Sequence, residues 1–335
     1  MSETKLMALR EAVNLAMSEE MRKDENIFLM GEDVGIYGGD FGTSVGMLAE
    51  FGEKRVKDTP ISEAAIAGAA VGSAITGLRP IVDLTFMDFI TIALDAIVNN
   101  GAKNNYMFGG GLKTPVTFRV ASGSGIGSAA QHSQSLESWL THIPGIKVVA
   151  PGNANDAKGL LKSAIQDNNI VIFMEPKALY GKKEEVTQDP DFYIPLGKGE
   201  IKREGTDLTI VTYGRMLERV LKAAEEVAEQ GINVEVVDPR TLIPLDKELI
   251  FDSVKKTGKL MLTRLVDLSV RLLLWLLKVK HLITLTTQLY VWQVKMCLYL
   301  MRVSWNKRFF QMLKRLRLLL SRWLIKETNY LATVK

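Results

Sequence analysis

Cysteine is all but missing from this chain. Cys297 stands alone among 335 residues; that excludes a disulfide framework, and no Cys/His cluster has metal-ligand spacing. The chain opens Met1-Ser2-Glu3-Thr4-Lys5, with no basic stretch leading into an apolar core. No signal peptide is read there, and a reducing cytoplasm is the expected compartment. Glycine and proline are missing too, but only locally: none of the 27 Gly or 10 Pro falls in 263–335. That segment holds 14 of the 42 basic residues and only two of the 38 acidic ones, Asp267 and Glu327. It also holds 19 Leu and four of the five Trp. Its net charge is +12 against −8 for the 262 residues before it, a change of style within one chain.

The rest is ordinary globular material, 47% hydrophobic and 24% charged, and its length suits about two domains. Residues 7–23 space their apolar side chains as a helix and end in basic residues. Ile27–Met30 reads as a short buried strand running into a Gly- and Asp-rich loop, Gly31–Gly42. Further apolar strands are predicted at 79–86, 116–120, 147–150 and 170–175, with helices at 88–103, 130–140 and 155–167. A small-residue helix, ISEAAIAGAAVGSAITG, precedes the strand at 79–86. Continuous apolar strands alternating with helices predict a doubly wound, mostly parallel α/β sheet over 1–180. Residues 181–198 are polar and read as a linker. The segment 199–262 reads as the first half of a second α/β domain, with strands in TDLTIVTYG and INVEVVDPRTL and helices at 216–230 and 245–256. GSGIG at 123–127 is a turn, since it lacks the dinucleotide fingerprint and its acidic partner.

Four segments resemble a known family: VKDTPISEAAIAGAAVG at 56–72, AAQHSQSLESW at 129–139, HIPGIKVVAPGNANDAKGLLKSAIQDNN at 142–169, and VVDPRTLIPLD at 236–246. They are similar to the beta subunit of the thiamine-diphosphate-dependent first component of 2-oxo acid dehydrogenase complexes. The YMFGG segment and general wording are nearest acetoin dehydrogenase, then pyruvate dehydrogenase, then branched-chain oxo acid dehydrogenase. The resemblance implies a transketolase-like pyrimidine-binding domain, then a transketolase C-terminal-like α/β domain whose second half is disrupted. It also implies acetoin cleavage or 2-oxo acid decarboxylation, with transfer of the acyl unit to lipoyl groups of an acyltransferase core.

Within that resemblance the roles fall residue by residue. Glu63 opens a helix rich in Ala and Gly, where a carboxylate by itself is a charge favoured by the helix dipole. By resemblance it is the carboxyl that bonds N1' of the cofactor's aminopyrimidine, and a carboxyl in a water-poor, small-residue pocket can share a proton with that ring. His132 by itself is a structural histidine; by resemblance it is an acid/base or substrate-anchoring group. Phe89 is core by composition, and by resemblance packs on the pyrimidine. Glu32 and Asp33 follow the end of a strand, where parallel sheets place ligands. They read as solvated loop charges or, by resemblance, as lying near the cofactor pocket. AIQDNN resembles a structural potassium loop, with Val116, Ala164, Ile165, Asp167 and Asn169 as the carried-over set; the same residues also suit a helix C-cap. No GDG…N motif for the cofactor's diphosphate is present. An alpha subunit is therefore expected to supply the diphosphate and divalent-metal half, in an alpha2beta2 heterotetramer.

Members of the family continue past residue 262 with a segment of the type KTGGFIGEIA, whereas this chain reads TRLVDLSVRLLL. If Leu265–Arg271 are encoded CTG-GTG-GAT-TTA-TCG-GTG-AGA, reading from the third base gives GGFIGE. Trp275, Trp292, Met296 and Met301, with single codons, comply with the same offset. Residues 263–335 are thus expected to be a frameshifted translation, which would impair assembly. The competing reading is a basic amphipathic tail for a membrane surface or nucleic acid, although Lys278, Lys280 and Lys295 interrupt every spanning run. Neither a nucleic-acid nor a membrane partner is expected.

Overall fold

The computed structural model describes residues 3–263. The segment read as out of frame lies outside the described residues from position 264 onward. In chain order the strands are β1 Thr4–Ala8, β2 Ile27–Gly31, β3 Val56–Asp58, β4 Arg79–Phe86, β5 Thr117–Ser122, β6 Ile146–Val149 and β7 Ile170–Pro176. They continue with β8 Lys183–Thr187, β9 Glu200–Arg203, β10 Leu208–Val211, β11 Val234–Asp238, β12 Thr241–Ile243 and β13 Leu260–Leu262.

The apolar runs at 27–30, 79–86, 116–120, 147–150 and 170–175 become five strands of one seven-stranded sheet, ordered β12-β6-β7-β5-β4-β2-β3. Every pairing in it is parallel except the β12–β6 edge. Helices Glu63–Ile75 and Ile90–Asp95 bury Ile66, Ala67, Ala70, Ile90 and Ala93 against one face. Helices Leu9–Lys23 and Ala154–Gln166 cover the other with Leu9, Val13, Met17, Leu160 and Leu161. Both faces of the sheet are covered, as near-continuous apolar strands require. A second, four-stranded sheet, β13-β10-β11-β9, has a parallel core under helix Met216–Ala228.

Local chemistry accounts for where the helices begin. Glu11 reaches back to accept a hydrogen bond from the Ala8 amide at 2.7 Å. Asn153 caps helix Ala154–Gln166 by accepting from the Asp156 amide at 2.8 Å, and Asp246 caps Lys247–Thr257 at the Leu249 amide, 3.2 Å. Three elements depart from the sequence reading. Thr4–Ala8, whose last two residues fell in the predicted helix 7–23, is a strand paired antiparallel with β8. The polar stretch after residue 181 is accordingly structured. Buried Lys158 donates to the carbonyls of Thr187 and Asp189, and Lys162 to that of Pro190, so the stretch is strapped onto helix Ala154–Gln166. The expected helix 130–140 survives only as a 3-10 turn, Ala130–His132, and one helical turn, Glu137–Leu140. Between them Ser133 Oγ donates to the Ala129 carbonyl at 2.6 Å, a side-chain bond that competes with helix.

The two sheets meet at a buried charge cluster. Asp156 accepts from Lys202 and from Arg240, each at 2.6 Å, and these two cations hold its carboxyl below the ordinary range against the effect of burial. Asp238, fully buried at the end of β11, takes the Arg240 amide on Oδ1 at 2.8 Å, while Oδ2 has no partner among the described residues. Burial first, then the charge of Asp156, pushes Asp238 up to about 7. An acid raised in the folded state binds a proton that the unfolded chain has released between about pH 4 and pH 7, so this group's contribution to stability falls as pH rises through that window. Asp238→Asn is expected to abolish that slope and to raise stability at pH 8 by up to about 4 kcal/mol, read as the midpoint of urea unfolding at pH 5 and pH 8.

Candidate active site

The C-terminal ends of β2, β3, β4, β5 and β7 converge, and the loops leaving them carry the candidate residues, as parallel sheets dictate. Glu63 is the first residue of its helix, placed just past β3, and is only 6% exposed. None of the described residues donates a hydrogen bond to its carboxylate. Its neighbour is Glu32, one residue beyond β2. Burial, then the charges of Glu63 and Asp40, push the Glu32 carboxyl up, with the Ser62 backbone amide acting the other way. Neither carboxylate has an ion-pair partner among the described residues, which leaves both able to accept from a ring nitrogen. The aminopyrimidine edge of thiamine diphosphate carries such a nitrogen, so the residues fit it.

Beside this pair stands an aromatic cluster that contains His132. The imidazole meets the Phe86 ring at 4.3 Å and 79°, and the Phe89 ring at 5.4 Å and 84°, both edge to face. Phe86 in turn meets Phe41 at 5.5 Å, and Phe41 stacks on Tyr180 at 4.8 Å. Asp40, from the Gly-rich loop 31–42, ties the two halves together. Burial and the charges of Asp83 and Asp33 raise its carboxyl, and the nearness of His132 lowers it. His132 and Phe89 are thus in direct ring contact, and the charges of Glu63, Glu32, Asp40 and His132 act on one another in sequence.

Phe86 reaches this cluster because β4 is bulged. Asp83 lies opposite Arg119 but Phe86 lies opposite Ala121, so three residues on β4 span two on β5. Thr85 takes a left-handed φ of 57°, strained for a β-branched residue, and its amide donates to Asp83 Oδ1 at 2.8 Å. The extra residue turns Phe86 to the face that carries Arg119. Arg119 is 1% exposed and donates to both oxygens of fully buried Glu175, at 2.7 and 2.9 Å, and to Asp83 at 3.1 Å. Tyr180 completes the network by donating to Glu175 at 2.8 Å. Burial alone would lower the guanidinium's pKa; Glu175 and Asp83 keep it charged.

The transketolase pyrimidine-binding domain matches residues 5–183, and the transketolase C-terminal domain matches 197–264. The chain is 48% identical over 270 residues to the acetoin:2,6-dichlorophenolindophenol oxidoreductase subunit beta of Bacillus subtilis, covering 77% of this chain and 79% of that protein. The chain belongs to the transketolase-like family of E1 beta subunits. It is 49% identical over 259 residues to the pyruvate dehydrogenase E1 component subunit beta of Rhizobium meliloti, 77% of this chain but only 56% of that protein. The 2-oxoisovalerate dehydrogenase subunit beta of Bacillus subtilis is 45% identical over 258 residues, covering 77% of this chain and 79% of that one. Among solved structures, a split-gene transketolase described as an inactive beta4 tetramer superposes with a TM-score of 0.64 at 26% identity, over 77% of this chain and 79% of that one.

In this E1 beta-family chain, Ala164, Ile165, Asp167 and Asn169 of the carried-over potassium set lie at the C-terminal turn of helix Ala154–Gln166, while Val116 lies outside that turn, just before β5. The Asp167 amide donates to the Ala164 carbonyl at 3.1 Å, the Asn169 amide to Asp167 Oδ1 at 2.9 Å, and the Val171 amide to the Val116 carbonyl at 2.9 Å. Positive charge is already present there. Arg79 donates to the carbonyls of Ile165 and Asp167 at 2.8 and 2.7 Å, and Lys147 pairs with the Asp167 carboxylate. Among the described residues no group of three or more His, Cys, Asp and Glu side chains could hold a metal ion, and no helix is long and apolar enough to cross a membrane. Sequence reasoning missed Phe86, Phe41, Asp40 and Tyr180; TFMDF carried the only available hint, two aromatics three residues apart. Because Arg119 neutralises buried carboxylates, Arg119→Met is expected to cost about 3–5 kcal/mol, more than Glu175→Gln, measured by urea unfolding.

Proposed function

We propose that the chain is the beta subunit of a thiamine-diphosphate-dependent dehydrogenase component, active only with an alpha subunit. It would cleave acetoin or decarboxylate a 2-oxo acid and pass the acyl unit to the lipoyl arm of an acyltransferase core. The observation that carries this reading is Glu63, a buried carboxylate at a helix start with no hydrogen-bond donor among the described residues, whose charge acts on Glu32. Bound thiamine diphosphate supplies a nucleophilic ring carbon and an electron sink. Glu63 meets the pyrimidine N1' and exchanges a proton with it, with Glu32 as its carboxylate neighbour. Phe89 offers a ring face to the pyrimidine, and His132 moves a proton to or from the substrate oxygen. The chain has no GDG…N motif, so the diphosphate and its divalent metal fall to the alpha subunit, in an alpha2beta2 heterotetramer of the cytoplasm.

The test is turnover with a dye acceptor, using the chain co-expressed with an alpha subunit and offered acetoin, pyruvate or a branched 2-oxo acid in turn. Glu63→Gln is expected to lower kcat by about 100-fold or more on whichever substrate reacts. A Glu63→Gln complex that keeps its full rate would remove Glu63 from this role.

Two further parts of the reading have their own measurements. A potassium ion at the 164–169 turn would use the second lone pairs of carbonyls that already accept one hydrogen bond. Potassium is then expected to raise the melting temperature over equal choline chloride, and Asp167→Ala to erase the difference. The altered segment is read as out of frame because the C-terminal-domain match ends at residue 264, where Gly and Pro vanish. The coding DNA across codon 263 is expected to restore GGFIGE in a neighbouring frame, and the natively expressed protein to weigh less than 37.2 kDa. A mass equal to that value makes the lesion real, with little tetramer expected.

A further inference from the structure

We propose that Lys177 is a positioning residue: its ammonium, together with the Asp88 carboxylate, fixes the turn that presents His132. The proposal deepens the reading of His132 given above and rests on it. Lys177 follows β7 directly and is 3% exposed. Its Nζ donates to the His132 backbone carbonyl at 2.6 Å. The same ammonium lies 5.0 Å from the centroid of the Phe86 ring, whose ring also meets the His132 imidazole. One aromatic ring is therefore shared between a buried cation and the imidazole, and the cation also holds that histidine's own backbone.

Asp88 holds the same turn two residues further on, at Gln134. It is 4% exposed, and its Oδ1 accepts from the Gln134 amide at 3.2 Å. The Gln134 carbonyl accepts from the Gly123 amide at 2.9 Å, so the segment is held at both ends. Asp88 Oδ2 has no hydrogen-bond partner among the described residues. Burial drives Lys177 below its ordinary range and the Asp88 charge opposes that drive. A buried ammonium is costly unless carbonyl, ring and carboxylate all serve it. A methionine would fill the same volume without a donor, so simple packing does not require lysine here. Locally the turn is closed by Ser133 Oγ on the Ala129 carbonyl, but Ala129 enters it with a φ of 58° and no side-chain N-cap, and the bonds from Lys177 and Asp88 tie it to the sheet.

The chain has three histidines, 132, 142 and 281, so imidazole signals of the full chain labelled at histidine and assembled with its alpha subunit are few enough to assign. His132→Asn identifies the His132 signal by its loss. In the unaltered chain that signal is expected to be displaced by the Phe86 and Phe89 ring currents. In Lys177→Met, and in Lys177→Gln should the first variant fail to fold, it is expected to move toward the position of an unpacked histidine. The kcat should fall about tenfold or more with KM changed far less, and Lys177→Arg should recover part of both effects. A folded Lys177→Met or Lys177→Gln chain whose His132 signal stays where it stands in the unaltered chain, with full kcat, overturns the proposal. Full turnover in His132→Asn would instead sink the acid/base reading of His132, while the His132 signal in the Lys177 variants still decides whether Lys177 positions the turn.

Discussion

The guanidinium of Arg119 is the point on which the site depends. It stands on the middle strand of three, and its bonds to Asp83 on β4 and Glu175 on β7 run across the sheet on the face covered by helices Leu9–Lys23 and Ala154–Gln166. A charge in such a place is tolerated only when fully paired, and the bidentate contact with Glu175 provides that pairing. Tyr180 is anchored to the same carboxylate, Phe41 lies on Tyr180, Phe86 on Phe41 and His132 on Phe86. The imidazole is thus connected to the ion pair through rings and one hydroxyl. Such a stack keeps an exposed loop in register without making the loop itself rigid.

Strain at Thr85 serves the same end. A regular β4 would alternate Phe86 onto the face of Phe118 and Val120, away from Arg119. The bulge reverses that alternation for the last residue only, and the Asp83 side chain supports the strained peptide that makes the reversal possible. Bulges that re-aim a side chain beside a binding site are a recognised use of the device. Here the cost in conformation is met by a residue already committed to the ion network.

The parallel sheet was legible because its strands are unbroken apolar runs, for which burial on both faces is the only outcome. Glu63 was legible as a helix start, and Glu32 as a loop carboxylate, but nothing in their spacing of 31 residues shows that they become neighbours; β3 and β2 must first pair in register. β1 was hidden because TKLMA runs without a break into the helix and shows no strong alternation. β8, KEEVT, hides among charges because its stability comes from Lys158 and Lys162 donating to carbonyls around it. The failed helix at 130–140 has the composition of a helix and loses to a local side-chain bond at Ser133 and a tertiary bond at Gln134. Phe86 was invisible for a different reason: a bulge leaves no pattern in sequence, only a side chain on the unexpected side.

β12 carries a last consequence. After passing through part of the four-stranded sheet, the chain returns to lay Thr241–Ile243 antiparallel along β6, so the seven-stranded sheet takes its edge strand from beyond residue 199. Cut free at the polar stretch 181–198, the first unit would bare the hydrogen-bonding rim of β6 and invite edge-to-edge aggregation. The first unit therefore depends on the second to cover this edge. A recombination event that exchanged C-terminal halves between relatives would have to bring a matching three-residue edge with it, which sets where such genes can be spliced and where they cannot.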